Sequence, residues 1–210
     1  MLIDVVVPAR DHAASLGALL RDLPYRELRS VVVVDRASTD HTAEVARDSG
    51  ALVLREPSRG YGAACLRAQN HFSTLPRVPD VVVFIPGDRP DAATAIPALV
   101  APIAERGVEL VMGAEQGRRF KEKIITGLID TVYRHRWSGL GPVRAMRFPA
   151  LIALGMSDRG DGWDVEMLVR AVKLGLTCDE VVLARTTSEH RGSRSFGRAL
   201  LHILRHATMR

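Results

Sequence analysis

The 210-residue chain has only two cysteines, Cys65 and Cys178. A pair cannot build a disulfide framework, and both sit in apolar patterns that read as core packing, so a reducing compartment is expected. No apolar run approaches the roughly 20 residues that span a bilayer, and Met1 leads directly into a strand-like segment instead of a charged leader. The expected location is the cytoplasm. Histidine and cysteine spacing in the body of the chain is equally unhelpful to a metal: His12, His41 and His71 are scattered, and there is no Cys-X-X-Cys pair, which argues against structural zinc. Linkers, repeats and low-complexity stretches are absent too.

What is present is ordinary globular composition, 47% hydrophobic and 25% charged, enough for one domain with a full core. Bases number 29 against 24 acids, and almost all are arginine. The +5 excess is localised. Residues 185–210 hold six arginines and one acid, Glu189, while residues 1–184 balance at 23 of each sign. A basic tail on a neutral body suggests an anionic partner such as phosphate or a membrane surface. Nucleic acid is disfavoured, because Phe196 is the tail's sole aromatic.

Apolar runs alternate with helical spacings, the pattern of a mostly parallel sheet with crossover helices. Strands are predicted at 2–7, 31–34, 51–54, 81–85, 108–112 and 176–183; their valine-rich, non-alternating character suits burial on both faces. Helices are predicted at 13–22, 42–49, 61–72, 94–105, 149–154 and 164–174, with a basic helical segment over 118–136. Gly50 and Gly107 stand where glycine caps belong. Such sheets bind ligands beyond the carboxyl ends of their strands, which directs attention to 8–12, 35–40 and 86–91.

The first strand ends in Val7-Pro8-Ala9-Arg10, without the glycines of a dinucleotide fingerprint. Asp35 ends the second strand and could bond a base or ribose, with Thr39 or Asp40 capping the next helix. Arg59, Gly60 and Gly62 open a helix whose N–H groups could receive an anion. Asp88 and Asp91 lie three apart in a Pro/Gly loop; hard cations favour such oxygens, and a helix-capping turn would look the same.

In order along the chain, these segments resemble a family 2 glycosyltransferase of the GT-A fold, in the dolichol-phosphate mannosyltransferase-like branch. The resemblance rests on Val5 to Arg10, Val33 to Asp40, Arg59 to Ala64, Val82 to Asp88, Gly139 to Arg147, Gly162 to Met167 and Arg191 to Ser195. It implies an α/β three-layer sandwich, a nucleotide-diphosphate sugar at the strand ends, a divalent cation (Mg²⁺ or Mn²⁺) on its diphosphate, and inverting transfer, often to a polyprenyl phosphate. Carried over, Pro8, Ala9 and Asp35 would line the nucleotide pocket with Arg10, Arg36, Arg59 and Gly62 beside them. Asp88 would be the retained acid of the Asp-X-Asp metal motif. Arg144, Arg147, Arg191 and Arg194 would face phosphates, and Trp163 could stack on a sugar.

Three positions depart from the family pattern: acids are replaced at Arg36, Pro86 and Ser138. Asp91 or His190 could then help complete a metal shell, or Arg36 could contact the diphosphate directly. Asp164 and Glu166 are the candidate bases, with Arg144 beside them in the catalytic set and Asp161 as a third acid. The alternative reading is a nucleotide-sugar-binding or regulatory homologue with impaired transfer. Within a single domain, 1–115 reads as the nucleotide half, 116–195 as the acceptor half, and 196–210 as a basic amphipathic helix. Phe196, Ala199, Leu200, Ile203 and Leu204 form its apolar stripe, suited to docking or to a peripheral position at the inner face of a membrane.

Overall fold

The computed structural model describes residues 1–115, 120–133 and 137–183. The valine runs form the centre of one seven-stranded sheet. In chain order it comprises β1 (Ile3–Ala9), β2 (Ser30–Asp35), β3 (Leu52–Arg55), β4 (Val81–Phe84), β5 (Leu110–Glu115), β6 (Arg144–Arg147) and β7 (Cys178–Leu183), arranged β3-β2-β1-β4-β6-β5-β7. All neighbouring pairs are parallel except those made by β6, which runs antiparallel to both β4 and β5. The helices are α1 (Ala13–Arg21), α2 (Thr42–Asp48), α3 (Tyr61–Ser73), α4 (Ile96–Arg106), α5 (Phe120–Tyr133), α6 (Phe148–Ala153) and α7 (Trp163–Lys173).

Successive strand residues serve opposite cores because side chains alternate across a sheet. Val6, Val32, Val34, Val82 and Phe84 pack with Phe72 of α3 and Leu168 of α7. Val5, Val7, Val33 and Val83 pack with Leu16 and Leu20 of α1 and Leu99 and Ile103 of α4. Two-sided burial explains why these strands show no polar alternation. β3 is the exception. It is one of the sheet's two edges, and Leu52 is 46% exposed.

Helix ends follow local chemistry. Gly50 and Gly107, at φ +79° and +72°, take the left-handed conformation that terminates α2 and α4 at little steric cost. The fourth helix begins later than the sequence spacing predicts, because residues Pro90–Ala95 form a 3-10 turn ahead of it. β6 was not foreseen: four residues with an arginine at each end carry no strand signature. Its place between two apolar strands comes from Ala145 and Met146, both fully buried. Among the described residues, no helix is long and apolar enough to cross a membrane. The amphipathic stripe at 196–210 lies outside the described residues.

Candidate active site

The parallel strands bring Ala9, Asp35 and the 86–88 turn to one rim. Ala9 and Asp35 are register partners at the ends of β1 and β2, and both are buried. The Asp35 carboxylate accepts the Ser38 N–H at 3.1 Å, fixing it at the strand exit. The third member is pinned to the first: Gly87 N–H donates to the Pro8 carbonyl at 3.1 Å. A Cβ at Gly87 would stand 3.0 Å from both Ala9 Cβ and His12 Nδ1, so a side chain here would press on both. Asp40 braces the same edge, accepting Thr42 N–H at 2.9 Å and Ala13 N–H at 3.0 Å, so one carboxylate serves the first N–H groups of α2 and α1.

The three arginines of this rim differ. Arg36 donates Nη1–H to the Arg59 carbonyl at 3.1 Å and stands 5.8 Å over the Tyr61 ring. Burial pushes its pKa down. Arg10 Nε lies 3.5 Å from Asp11 Oδ2. The Arg59 side chain is exposed.

The glycine-rich start of α3 does something other than hold an anion. Gly62 N–H donates to the Gly160 carbonyl at 3.0 Å and Ala63 N–H to the Arg159 carbonyl at 2.9 Å. A Cβ at Gly60 would fall 1.9 Å from the Arg159 oxygen, and one at Gly62 2.0 Å from the Asp158 oxygen. The helix N-terminus is therefore filled by the 158–160 loop, and both glycines exist for that contact. Gly62 serves the pocket wall, not the ligand.

Four other expectations change. Glu166 is fully buried and accepts from Ser157 and Asp158 N–H groups and the Ser157 hydroxyl, with Arg170 Nη2 at 2.9 Å. Its carboxylate is consumed by the loop and is not placed to take a substrate proton. Trp163 is 1% exposed and packs 6.4 Å from Phe84, centroid to centroid, so it belongs to the core instead of stacking on sugar. Arg147 pairs in register with Val81, at the amino edge of the sheet, and donates to the Ile103 carbonyl at 3.2 Å. It closes the C-terminus of α4, away from the rim. Asp91 is gripped by buried Arg89 through Nε at 3.1 Å and Nη2 at 2.8 Å, which removes it from the prospective metal shell. Arg191, Arg194 and His190 lie outside the described residues.

Arg144 and Asp164 form the inner wall. Arg144 is 1% exposed, faces Phe84 across the β4–β6 ladder, and reaches Asp164 Oδ1 at 3.1 Å. It also donates to the Leu140 and Gly141 carbonyls, each at 2.6 Å. It thus ties the Gly-Leu-Gly-Pro turn to α7 and orients Asp164 in place of facing a phosphate itself. Asp164, in the first turn of α7, keeps a quarter of its side chain exposed. Tyr61 and Cys65 share this electrostatic neighbourhood, and burial pushes both of their pKa values up. Ser138, one of the three positions where an acid was expected, donates its N–H to Glu180 Oε1 of β7 at 2.8 Å.

Comparison with known proteins fixes the family. Residues 4–150 match the model described as Glycosyl transferase family 2. The uncharacterized glycosyltransferase Rv0539 of Mycobacterium tuberculosis is 32% identical over 216 residues, covering 96% of this chain and 94% of the relative. The chain belongs to glycosyl transferase family 2. A more distant relative, the uncharacterized protein MJ1222 of Methanocaldococcus jannaschii, is 26% identical over 208 residues, 90% of this chain and 84% of its own.

Glucosyl-3-phosphoglycerate synthase of M. tuberculosis shares the GT-A architecture of this family 2 glycosyltransferase. Its complex with Mn²⁺, UDP and phosphoglyceric acid superposes with a TM-score of 0.84 at 21% identity, covering 100% of this chain and 79% of that one. Its complex with Mg²⁺ and UDP gives 0.81 at 23%, covering 98% and 79%. The family and fold expected from the motifs are thus both found. The dolichol-phosphate mannosyltransferase-like branch gains no support from these neighbours.

Proposed function

We propose that this family 2 glycosyltransferase moves a sugar, with inversion, from a nucleotide-diphosphate sugar of the UDP type to a phosphate-bearing acceptor. The observation that carries the donor reading is the rim itself. A buried acid, Asp35, stands beside Ala9 at the strand ends, with the Asp88 turn pinned against them. Pro8, Ala9, Arg10, Asp35, Arg36 and Arg59 line the donor pocket in this reading. The UDP complexes of a protein with the same fold support the choice of base.

The donor set suits a cation that relies on the substrate. Among the described residues there is no group of three His, Cys, Asp or Glu side chains that could hold a metal, and Asp91 is held by Arg89. Asp88 then supplies the protein carboxylate and the donor diphosphate the remaining oxygens, a common arrangement for Mg²⁺ or Mn²⁺. Such a cation, when bound, neutralises charge on the departing diphosphate.

Asp164 is the base of this proposal: part-exposed, oriented by Arg144, and able to take the proton of an attacking hydroxyl. An acceptor that attacks through a phosphate oxygen is already anionic and needs no base. The acceptor's negative charge is supported by the basic 185–210 segment and by the phosphoglyceric acid bound in the structural neighbour. A polyprenyl phosphate satisfies the same charge argument, with the tail at the membrane face.

The test is incubation with UDP-glucose, other UDP-sugars and GDP-mannose, with Mn²⁺ or EDTA, scoring nucleotide release with phosphoglycerate or a polyprenyl phosphate as acceptor. Mn²⁺-stimulated UDP release is expected. Donor binding without turnover, indifferent to Asp88→Ala, would overturn it in favour of a transfer-deficient homologue.

A further inference from the structure

Four buried or half-buried arginines of this molecule each hold a carboxylate: Arg29 with Asp4, Arg89 with Asp91, Arg144 with Asp164 and Arg170 with Glu166. Arg36 does not. Among the described residues it makes no ion pair; its side chain's one hydrogen bond goes to the Arg59 carbonyl, and its buried Nε has no hydrogen-bond partner. A guanidinium has five N–H donors, and a desolvated one with donors unused is costly unless something else completes it.

The surroundings sharpen the anomaly. Arg10, at the exit of the adjacent strand, adds a second positive charge that opposes Arg36 while Asp161 favours it, and the buried Arg10 Nε, 3.5 Å from Asp11 Oδ2, makes no hydrogen bond. Asp11, the acid nearest Arg10, already accepts the Thr39 N–H at 2.7 Å and the Thr39 hydroxyl at 3.1 Å. Tyr61 lies under Arg36 and limits where its plane can go. Two guanidinium groups of like charge therefore stand at adjacent strand exits, each with a buried Nε–H that no hydrogen-bond acceptor takes. Pro8 of the same exit segment accepts the Gly87 N–H, which brings the backbone of the 86–88 turn beside the strand exit that carries Arg10.

We propose that Arg36 and Arg10 form a phosphate-binding site for the donor diphosphate, supplying protein-borne positive charge where the family pattern has an acid. This rests on the donor-binding reading above and adds to it: the diphosphate is neutralised by two guanidinium groups together with whatever cation Asp88 holds. Planar guanidinium forks match phosphate oxygens in pairs, which a single metal contact cannot do. Nucleotide binding therefore survives removal of metal.

Calorimetric titration of the full chain tests this, with UDP, uridine, pyrophosphate and glycerol 3-phosphate as probes, each in EDTA and in Mn²⁺. The wild type binds UDP in EDTA, with affinity within about tenfold of that in Mn²⁺. Arg36→Gln lowers UDP and pyrophosphate affinity in EDTA by about tenfold or more, leaves uridine within twofold, and Arg36→Lys recovers part of the loss. Equal weakening of UDP and uridine would assign Arg36 to the base or to the pocket's shape, and an absolute need for Mn²⁺ would remove the counter-charge role. Loss confined to glycerol 3-phosphate would move the site from donor to acceptor. If the wild type binds pyrophosphate through Arg36 but no nucleotide, the donor reading fails and the phosphate site stands. If Arg36→Gln binds every probe as the wild type does, the phosphate site fails while the donor reading stands.

Discussion

Glu166 and Ser157 are joined three ways: the Ser157 N–H lies 3.2 and 3.1 Å from the two carboxylate oxygens, and its hydroxyl donates to Oε1 at 2.7 Å. Burial pushes the Glu166 carboxyl up, but the Asp158 N–H, the Ser157 hydroxyl and N–H, and Arg170 outweigh it and hold the pKa below the ordinary value. A carboxyl depressed by folding contributes stability that is complete above its unfolded pKa and lost as pH falls through its folded one. Glu166→Gln is expected to cost about 2 kcal/mol at pH 7, since one oxygen becomes a donor facing donors. Urea melts should show that difference shrinking as pH is lowered towards the folded value.

Two glycine-to-alanine changes should have opposite signs. At Gly62 the new Cβ meets the Asp158 backbone oxygen at 2.0 Å, so overpacking should cost about 1–3 kcal/mol and loosen the 158–160 loop. At Gly127, inside α5, nothing lies within 4 Å, and alanine should stabilise by roughly 0.5–1 kcal/mol through helix propensity. Denaturant midpoints of the two variants measure both.

Ala37 sits at φ +54°, the left-handed region that L-residues enter at a cost of roughly 1–2 kcal/mol. Ala37→Gly relieves that strain while giving the unfolded chain more freedom, for a net gain of up to about 1 kcal/mol. A thermal melt at fixed pH reads the shift, and an unchanged or lower midpoint would show the strain to be smaller than the entropy.

Replacing Asp164 with Asn keeps an oxygen for Arg144 and removes the proton acceptor. With a hydroxyl acceptor, kcat should fall about 10²-fold or more while the donor KM stays within a few-fold. A variant that turns over normally with such an acceptor would take the base role away from Asp164.

Neither thiol should react readily in the folded protein. Cys65 is fully buried, and burial pushes its pKa up; burial, then Glu109, raises Cys178 to about 12. Iodoacetamide at pH 8 should label both cysteines in urea and neither at a comparable rate without it, because the thiolate is the nucleophile.

Where one physical cause dominated, the chain could be read directly. Valine runs without polar alternation located β1, β2 and β4, and Gly50 and Gly107 located two helix ends. The place of Asp35 at the exit of β2 was legible because the apolar run stops there. Long-range contacts were not legible. Nothing local to Gly60 and Gly62 says that the 158–160 backbone, about a hundred residues later, occupies the space a ligand was expected to fill; the spacing of two glycines in a helix's first turn was the available sign of a close approach. Glu166 and Trp163 looked like site residues because they adjoin Asp164 in sequence, yet helical geometry turns neighbours to different sides. The partnership of Arg89 with Asp91 was hidden for a different reason: burial of an arginine beside a Pro/Gly turn depends on the fold around it.

The extended geometry of β6 has a consequence for its two arginines. Arg144 and Arg147 are three residues apart, yet an extended strand separates them by about 10 Å and delivers them to opposite edges of the sheet. One ties the 140–141 turn to Asp164 of α7; the other closes the end of α4. Four residues of one strand thus brace two unrelated helices, and the costs of replacing Arg144 and Arg147 should add, since the two share no partner.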